Sequence, residues 1–204
     1  MFKHISPLVA LAFAAMTTQA FAQDTTAPAA EAEKPLAANE PQLDLGQNVE
    51  AGPKLGERYS KAKYGDWDLA CIKTNAETDP CSLLQILRDN TGNPVAEVSL
   101  FRIENGGQAA AGATVLVPLE TLLPAQLTIA VDEAPGKRYN YKFCSPIGCA
   151  AQIGLTQQDI DAFKKGGKAT VSIVPAPAPD QIVALTLSLK GFTAGYDAVD
   201  VVSQ

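Results

Sequence analysis

Residues 137–149 of this 204-residue chain read KRYNYKFCSPIGC. Tyr139, Tyr141 and Phe143 alternate with polar residues, and side chains two positions apart share one face of an extended strand. Two cysteines then bracket a turn that contains proline and glycine. The stretch therefore predicts a strand over residues 138–143 that leads into a short loop closed by a disulfide.

The same period of two recurs along the chain from Tyr64 onward. The clearest further stripes are Leu127, Ile129 and Val131; Ala169, Val171 and Ile173; and Val183, Leu185, Leu187 and Leu189. Weaker candidates cover residues 66–72, 82–88, 94–103, 114–117 and 149–153, and turn-forming residues separate the segments. Several short strands at this spacing predict a mainly β fold, an antiparallel β-sandwich or a barrel-like domain.

One short helix interrupts the predicted strands, over residues 157–165. Thr156 is a suitable N-cap, and Gly166 is suited to the left-handed conformation that follows many helices. Ile160 and Phe163 lie three residues apart, so both would face the sheet.

The N-terminus has the pattern of a secretory signal peptide over residues 1–22. Lys3 supplies the positive charge, residues 5–16 are apolar, and Ala20-Phe21-Ala22 is a suitable cleavage site before Gln23. The sequence therefore predicts an exported protein of the periplasm, the outer surface or the extracellular space.

Residues 23–57 predict a disordered acidic tether. They are rich in alanine, proline, glutamate and glutamine, and contain two basic against seven acidic residues. From Arg58 onward there are 13 basic and 15 acidic residues, so the domain predicted over 58–204 lacks the excess positive charge that nucleic-acid binding requires. No later segment has the roughly 20 consecutive apolar residues of a membrane span.

The four cysteines remain in the predicted mature chain: Cys71, Cys81, Cys144 and Cys149. An even number in an oxidising compartment predicts two disulfides, for which three pairings are possible. We favour Cys71–Cys81 and Cys144–Cys149, because each pair brackets turn-forming residues. Neither spacing is C-x-x-C, which argues against a zinc or redox centre.

The only histidine, His4, lies in the predicted signal peptide. The mature chain therefore lacks the commonest general base and metal ligand, and we predict no catalytic residue, metal or cofactor. One enzymatic alternative is a carbohydrate hydrolase that uses Asp66 and Asp68, two carboxylates beside Trp67. We expect instead that Trp67 packs in the core and that both aspartates are solvated.

Three stretches resemble the invasion-associated locus B family of exported bacterial proteins. They are Tyr64–Cys71 followed by Cys81; Val117-Pro118-Leu119 leading into the strand at 127–132; and Cys144–Cys149 with the helix at 156–166 and the Leu189–Phe192 ending. The resemblance implies a β-sandwich-like domain without known catalytic residues and an envelope or surface location. For some members it also implies a role in entry into host cells.

The loop of Ser145, Pro146, Ile147 and Gly148 is the best candidate for a partner-binding surface, because a disulfide would rigidify it. In the alternative, the disulfide only secures a hairpin and Ile147 packs onto the core. This alternative agrees with the usual role of disulfides in small exported domains, which is to stabilise the fold. We predict a non-enzymatic protein that binds an envelope or host-surface macromolecule and contributes to host-cell invasion. A periplasmic accessory or inhibitor with no host role is the main alternative.

Overall fold

The computed structural model describes residues 44–49, 52–104 and 107–203. The predicted signal peptide and residues 23–43 of the predicted tether lie outside this range. The described residues between 44 and 57 contain no helix or strand, and the first strand begins at Arg58. Just before it, the Gly56 N–H donates to the Lys73 carbonyl oxygen at 2.8 Å, and the Lys73 N–H donates to the Glu57 carbonyl oxygen at 2.9 Å.

All helices and strands of the described residues lie in the unit that spans residues 49–204. The strands are β1 (Arg58–Tyr64), β2 (Trp67–Ile72), β3 (Cys81–Arg88), β4 (Pro94–Glu104), β5 (Ala111–Val117), β6 (Leu127–Val131), β7 (Lys137–Tyr139), β8 (Phe143–Ser145), β9 (Gly148–Leu155), β10 (Lys168–Ile173), β11 (Val183–Ser188) and β12 (Val201–Ser203). The helices are α1 (Gln157–Lys165) and α2 (Phe192–Ala198), with a short 3-10 turn at Leu123–Ala125.

The strands form two sheets. The larger sheet has the order β1-β2-β3-β4-β5-β9-β8, and β12 adds to it by pairing in parallel with β4. The smaller sheet has the order β11-β10-β6-β7. All pairs except β12–β4 are antiparallel, which confirms the predicted mainly β, antiparallel fold.

One hydrophobic core contains side chains from both sheets. The predicted stripes of β6, β10 and β11 supply Leu127, Val171 and Leu187, each fully buried. Leu83 and Val115 are their counterparts in the larger sheet. In these stripes the period of two identified the inward faces correctly, because burial of one face is what the alternation encodes. Phe143, from the stripe of Tyr139 and Tyr141, is instead 52% exposed.

A buried side chain joins the two sheets at Ser188, the last residue of β11. The Ser188 carbonyl oxygen accepts hydrogen bonds from Trp67 Nε1 at 2.8 Å and from Gln85 Nε2 at 3.0 Å. The Ser188 N–H in turn donates to Gln85 Oε1 at 2.8 Å. Gln85 therefore bonds to the edge of β11 as a neighbouring strand would, which explains how an amide is tolerated in the core.

The β1–β2 turn docks on the segment after β11 by direct backbone contact. Gly65 has φ +60°, and a Cβ there would lie 2.5 Å from the Lys190 carbonyl oxygen. A Cβ at Gly191, where φ is +85°, would lie 2.0 Å from the Tyr64 carbonyl oxygen. Only glycine fits at both positions. Beneath this contact the rings of Trp67 and Phe192 meet edge to face, 5.5 Å apart.

The predicted continuous strand over residues 138–143 is wrong. The chain leaves the smaller sheet after Tyr139 and joins the larger sheet at Phe143, so residues 140–142 cross between the two sheets. Tyr141 lies in this crossover, and burial raises the pKa of its hydroxyl to about 12. Alternation alone could not reveal the break, because two short strands in different sheets have the same period as one long strand.

Helix α1 forms where the sequence predicts it. Thr156 and Asp159 make a reciprocal capping box, and Ile160 and Phe163 are buried. The expectation for Gly166 is wrong: its φ is −75° and its backbone is extended. A Cβ there would lie 2.6 Å from Val131 Cγ1, so close packing rather than a left-handed turn restricts this position to glycine.

The second helix, α2, is not predicted by the sequence. It has only seven residues, and Gly195 in its interior disfavours a helix. A Cβ at Gly195 would lie 2.5 Å from Leu83 Cδ1, so the glycine lets α2 approach β3 closely. Phe192 and Tyr196, four residues apart, anchor this helix in the core.

Candidate partner-binding hairpin

The structure contains both disulfides that the sequence favours, Cys71–Cys81 and Cys144–Cys149. Each joins residues that face each other directly across an antiparallel pair, in β2–β3 and in β8–β9. In each pair the Cα atoms are 4.0 Å apart. Both bridges therefore hold a hairpin closed next to its loop.

The candidate loop is a two-residue turn, Pro146-Ile147, between the paired residues Ser145 and Gly148. Proline restricts its own φ, and the disulfide fixes the strands on both sides. Gly148 has φ +142°, and a Cβ there would lie 2.4 Å from the Val117 carbonyl oxygen. The loop is thus held by the bridge, by the proline and by close contact with β5.

Ile147 projects from this turn with 80% of its surface exposed. The alternative in which Ile147 packs back onto the core is therefore wrong. An isoleucine at the tip of a rigid hairpin gains nothing from burial in the folded domain itself, so its exposed surface is available for contact with another molecule.

Ile147 belongs to a larger apolar surface. Two shallow grooves, each of about 250 Å³, lie beside it and share Glu97, Leu116 and Ile147 as lining residues. We define the hairpin patch by its five apolar members: Ile86, Val95, Leu116, Phe143 and Ile147. Phe143 is 52% exposed and Ile86 is 41% exposed.

Register explains how these residues meet on one face of the larger sheet. Ile86 in β3 pairs with Glu97 in β4, Glu97 pairs with Leu116 in β5, and Leu116 pairs with Ala150 in β9. Ala150 in turn pairs with Phe143 in β8. A single row across five strands thus carries Ile86, Leu116 and Phe143, with Glu97 as its one charged member.

The charge of Glu97 is compensated from the far edge of the sheet. Arg58 Nη1 in β1 donates to Glu97 Oε2 at 2.8 Å. Three strand spacings separate β1 from β4, and the registers place Arg58 level with Ile103, six residues from Glu97 along β4. In a flat sheet their Cα atoms would lie about 25 Å apart. Side chains standing perpendicular to a flat sheet could not meet across that distance, so the sheet curls toward this face and makes it concave.

The loop of the other disulfide is polar and internally bonded. Asp79 accepts hydrogen bonds from the Thr74 backbone N–H at 2.8 Å and from the Tyr59 hydroxyl at 2.8 Å, and Lys73 Nζ lies 3.2 Å away. The Thr74 amide and the Tyr59 hydroxyl hold the pKa of Asp79 well below its usual range. The exposed apolar residue between these two cysteines is Ile72, at the end of β2, which is 37% exposed against 80% for Ile147. We assign this loop a structural role.

Asp66 and Asp68 accept hydrogen bonds from different residues. Asp66 lies in the turn before β2, and its Oδ2 accepts a hydrogen bond from Ser188 Oγ at 2.6 Å. Asp68 is on β2 and accepts one from Ser60 Oγ at 2.8 Å. Trp67 between them is buried, as expected, and neither carboxylate lines a groove described for this structure.

Within residues 44–49, 52–104 and 107–203, no cluster of three or more histidine, cysteine, aspartate or glutamate side chains could hold a metal ion. The helices in this part of the chain are also too short or too polar to cross a membrane.

Residues 67–200 match the model of the invasion associated locus B protein family. The chain belongs to the invasion-associated locus B family. Two Brucella abortus proteins named invasion protein B homolog, from strain 2308 and from biovar 1 strain 9-941, are each 27% identical to it over 142 residues. That alignment covers 69% of this chain and 79% of each relative.

The crystal structure of invasion associated protein B from Bartonella henselae shares this fold. It aligns with a TM-score of 0.55 at 20% sequence identity and covers 67% of this chain and 92% of that protein. The part of the chain that matches the family contains both disulfides, the hairpin patch and the Gln85–Ser188 junction. The two disulfides and the family suggest an exported protein.

Of the patch, the sequence identifies only Ile147 as a candidate contact residue. Ile86, Val95 and Leu116 come from three strands of the sheet, and no local pattern marks them. These residues are brought together by strand register. Register cannot be read from a single sequence when the order of the strands in the sheet is unknown.

Proposed function

We propose that this member of the invasion-associated locus B family is an exported, non-enzymatic protein that binds a macromolecular partner through the β8–β9 hairpin. The partner is a component of the bacterial envelope or of a host-cell surface. The observation that carries this proposal is Ile147, which is 80% exposed at the tip of a disulfide-closed hairpin and continuous with the hairpin patch.

Two physical arguments support binding at this position. Contiguous exposed apolar surface is uncommon on a monomeric domain and marks interaction sites when it is organised as a patch. The disulfide and Pro146 also reduce the conformational entropy that the loop would lose on binding. A rigid apolar tip is therefore a favourable contact surface.

A non-catalytic role is supported by the chemistry of the chain. The predicted mature protein has no histidine, and Asp66 and Asp68 each bond to a different partner rather than converging on a cleft. The names of the relatives associate them with invasion. We extend to this chain a role at the envelope or host surface, with a contribution to host-cell invasion as its most specific form.

The proposal is tested by crosslinking the exported protein in intact cells. Wild type is compared with Ile147→Asp and with a matched control, Ile182→Asp, because Ile182 is also a highly exposed isoleucine (71%) outside the patch. Loss of apolar contact at Ile147, about 1.5–3 kcal/mol, predicts affinity about ten- to a hundredfold weaker.

We expect wild type and Ile182→Asp to capture the same partner and Ile147→Asp to lose it while remaining folded. Equal capture by all three proteins would show that the hairpin is not the contact surface. Turnover of an envelope or host substrate by the purified protein would disprove the non-enzymatic assignment.

A further inference from the structure

The edge strand β8 has backbone groups that no described part of the chain uses. Cys144 and Cys149 are 4.0 Å apart at their Cα atoms, which is the spacing of a non-hydrogen-bonded antiparallel pair. In such a pair the N–H and C=O of Cys144 point away from β9. On that side no strand in the ranges 52–104 and 107–203 pairs with β8.

The other edge of the same sheet is protected against strand addition. In β1 the register shifts between Ser60 and Ala62, which leaves Lys61 in a bulge, and both Lys61 and Lys63 are exposed. Bulges and lysines are the usual means by which edge strands avoid pairing with other chains. By contrast the three residues of β8, Phe143-Cys144-Ser145, carry no charge. The nearest lysine, Lys142, precedes the strand, and its N–H donates to the Ala150 carbonyl oxygen at 2.7 Å.

The edges of the smaller sheet differ from β8 as well. β7 carries Lys137 and Arg138, both exposed. β11 is bonded at Ser188 by the Gln85 amide, which occupies both backbone groups of that residue. Two further strands with an unpaired side, β11 and β12, are also uncharged, but neither lines the grooves of the hairpin patch. Within the described residues, β8 combines an uncharged free backbone with that patch.

A groove of about 250 Å³ lies beside β8. Its lining includes Phe143 and Ser145 of β8, Leu116 and Glu97 of the concave face, and Arg58 from the opposite edge. Arg58 is half-exposed, and the hydrogen bond from Nη1 to Glu97 is the only one its guanidinium makes within the described residues. Its remaining N–H groups can therefore donate hydrogen bonds to a second carboxylate.

We propose that β8 accepts an extended segment of a partner protein as an added strand. The segment carries apolar side chains at alternate positions, which extend the row that ends at Phe143, and one carboxylate that pairs with Arg58. Backbone hydrogen bonds to Cys144 supply general affinity, and the patch supplies specificity. This inference rests on the proposed function and states the mode of binding and the chemistry of the partner.

The test is selection of random octapeptides displayed on phage against the mature wild-type protein. We expect enriched peptides with alternating apolar residues, an acidic residue and no proline. N-methylation of alternate amides along one edge of such a peptide should weaken binding by about tenfold or more, because it removes the hydrogen bond to the Cys144 carbonyl oxygen and places methyl groups between the peptide and β8. N-methylation along the opposite edge should leave binding unchanged.

Two variants locate the site. Phe143→Lys places a charge on the edge at an exposed position, and we expect it to abolish peptide binding while keeping the unfolding midpoint of wild type. Arg58→Gln should bind peptides that lack the acidic residue as well as it binds those that have it. Ile182→Asp is the matched control and should bind like wild type.

Three results would overturn the proposal: no enrichment, equal binding of peptides N-methylated on either edge, or equal binding by Phe143→Lys. A dimer of the mature protein that Phe143→Lys separates into monomers would also overturn it, because a second copy would then be the occupant. If the peptide experiments fail but capture in cells still depends on Ile147, the hairpin is a binding surface that does not work by strand addition.

Discussion

The two disulfide-closed hairpins of this domain differ in what their loops do. Both bridges join directly facing residues of antiparallel strands with the same Cα separation. Between Cys71 and Cys81 the loop is polar, and Asp79 accepts four hydrogen bonds from residues of the same hairpin and of β1. Between Cys144 and Cys149 the loop is two residues long and exposes Ile147.

The difference shows that a disulfide does not by itself identify a binding loop. The Cys71–Cys81 hairpin lies in the interior of the sheet order, and Asp200 Oδ2 accepts a hydrogen bond from the Cys81 N–H at 2.7 Å, so the C-terminal segment covers its end. The Cys144–Cys149 hairpin lies at the sheet edge, where nothing within the described chain covers β8. Position in the sheet, rather than sulfur chemistry, separates the structural hairpin from the candidate site.

Removal of the disulfides tests this comparison with the largest expected effect. Cys71→Ala/Cys81→Ala should destabilise the domain by about 3 kcal/mol and Cys144→Ala/Cys149→Ala by about 2 kcal/mol, because the first bridge closes the longer loop. Cys71 and Cys81 are also both buried, whereas Cys144 is exposed. Urea unfolding of the two double variants measures the difference. A greater loss from the edge pair would mean that the β8–β9 hairpin supports the core.

Gly148→Ala tests whether the candidate loop is held in place by close packing. We expect a loss of about 2–3 kcal/mol, since alanine is strained at φ +142° and its Cβ would overlap the Val117 carbonyl oxygen. Gly154→Ala in the same strand is the matched control. Its Cβ would meet only Ala109 Cβ, at 3.5 Å, so a change within about 0.5 kcal/mol is expected. Equal urea midpoints for the two variants would contradict a rigid loop.

Asp79→Asn tests the polar hairpin through pH. The pKa of Asp79 is lowered in the folded protein, so its ionised form stabilises the fold above the unfolded value of about 4. This contribution is lost as the pH falls below about 4 toward the lower folded value. The stability difference between wild type and Asp79→Asn should therefore be largest at pH 7 and smaller at pH 3. Asp89, whose pKa is also lowered, is present in both proteins and cancels in the comparison.

The sequence predicts the fold class and the inward faces because both follow from local alternation. The stripes at Leu127, Val171 and Leu185 are buried as expected, and the helix after Thr156 forms. The crossover between Tyr139 and Phe143 is missed because alternation does not state which sheet a strand joins. Helix α2 is missed because its stability comes from packing of Phe192 against Trp67 rather than from propensity.

The candidate site is predicted only where it is local. Ser145–Gly148 can be selected from cysteine spacing and turn chemistry, whereas Arg58, Glu97 and Leu116 join it through strand pairing and curvature. Contacts between residues this far apart in sequence are set by global sheet order. These contacts cannot be predicted from one sequence when the order of the strands is unknown.

Ile147→Asp should have the smallest effect on stability. A small effect would allow a loss of binding to be separated from a loss of folding. An exposed side chain that packs against little contributes little to the folded state, so the free energy of unfolding should change by no more than about 0.5 kcal/mol. Thermal or urea unfolding beside Ile182→Asp measures this. A loss above about 1 kcal/mol would show that Ile147 packs on its own domain in solution, and the two hairpins would then share a purely structural role. An unchanged midpoint together with loss of the captured partner would separate binding from folding at one residue.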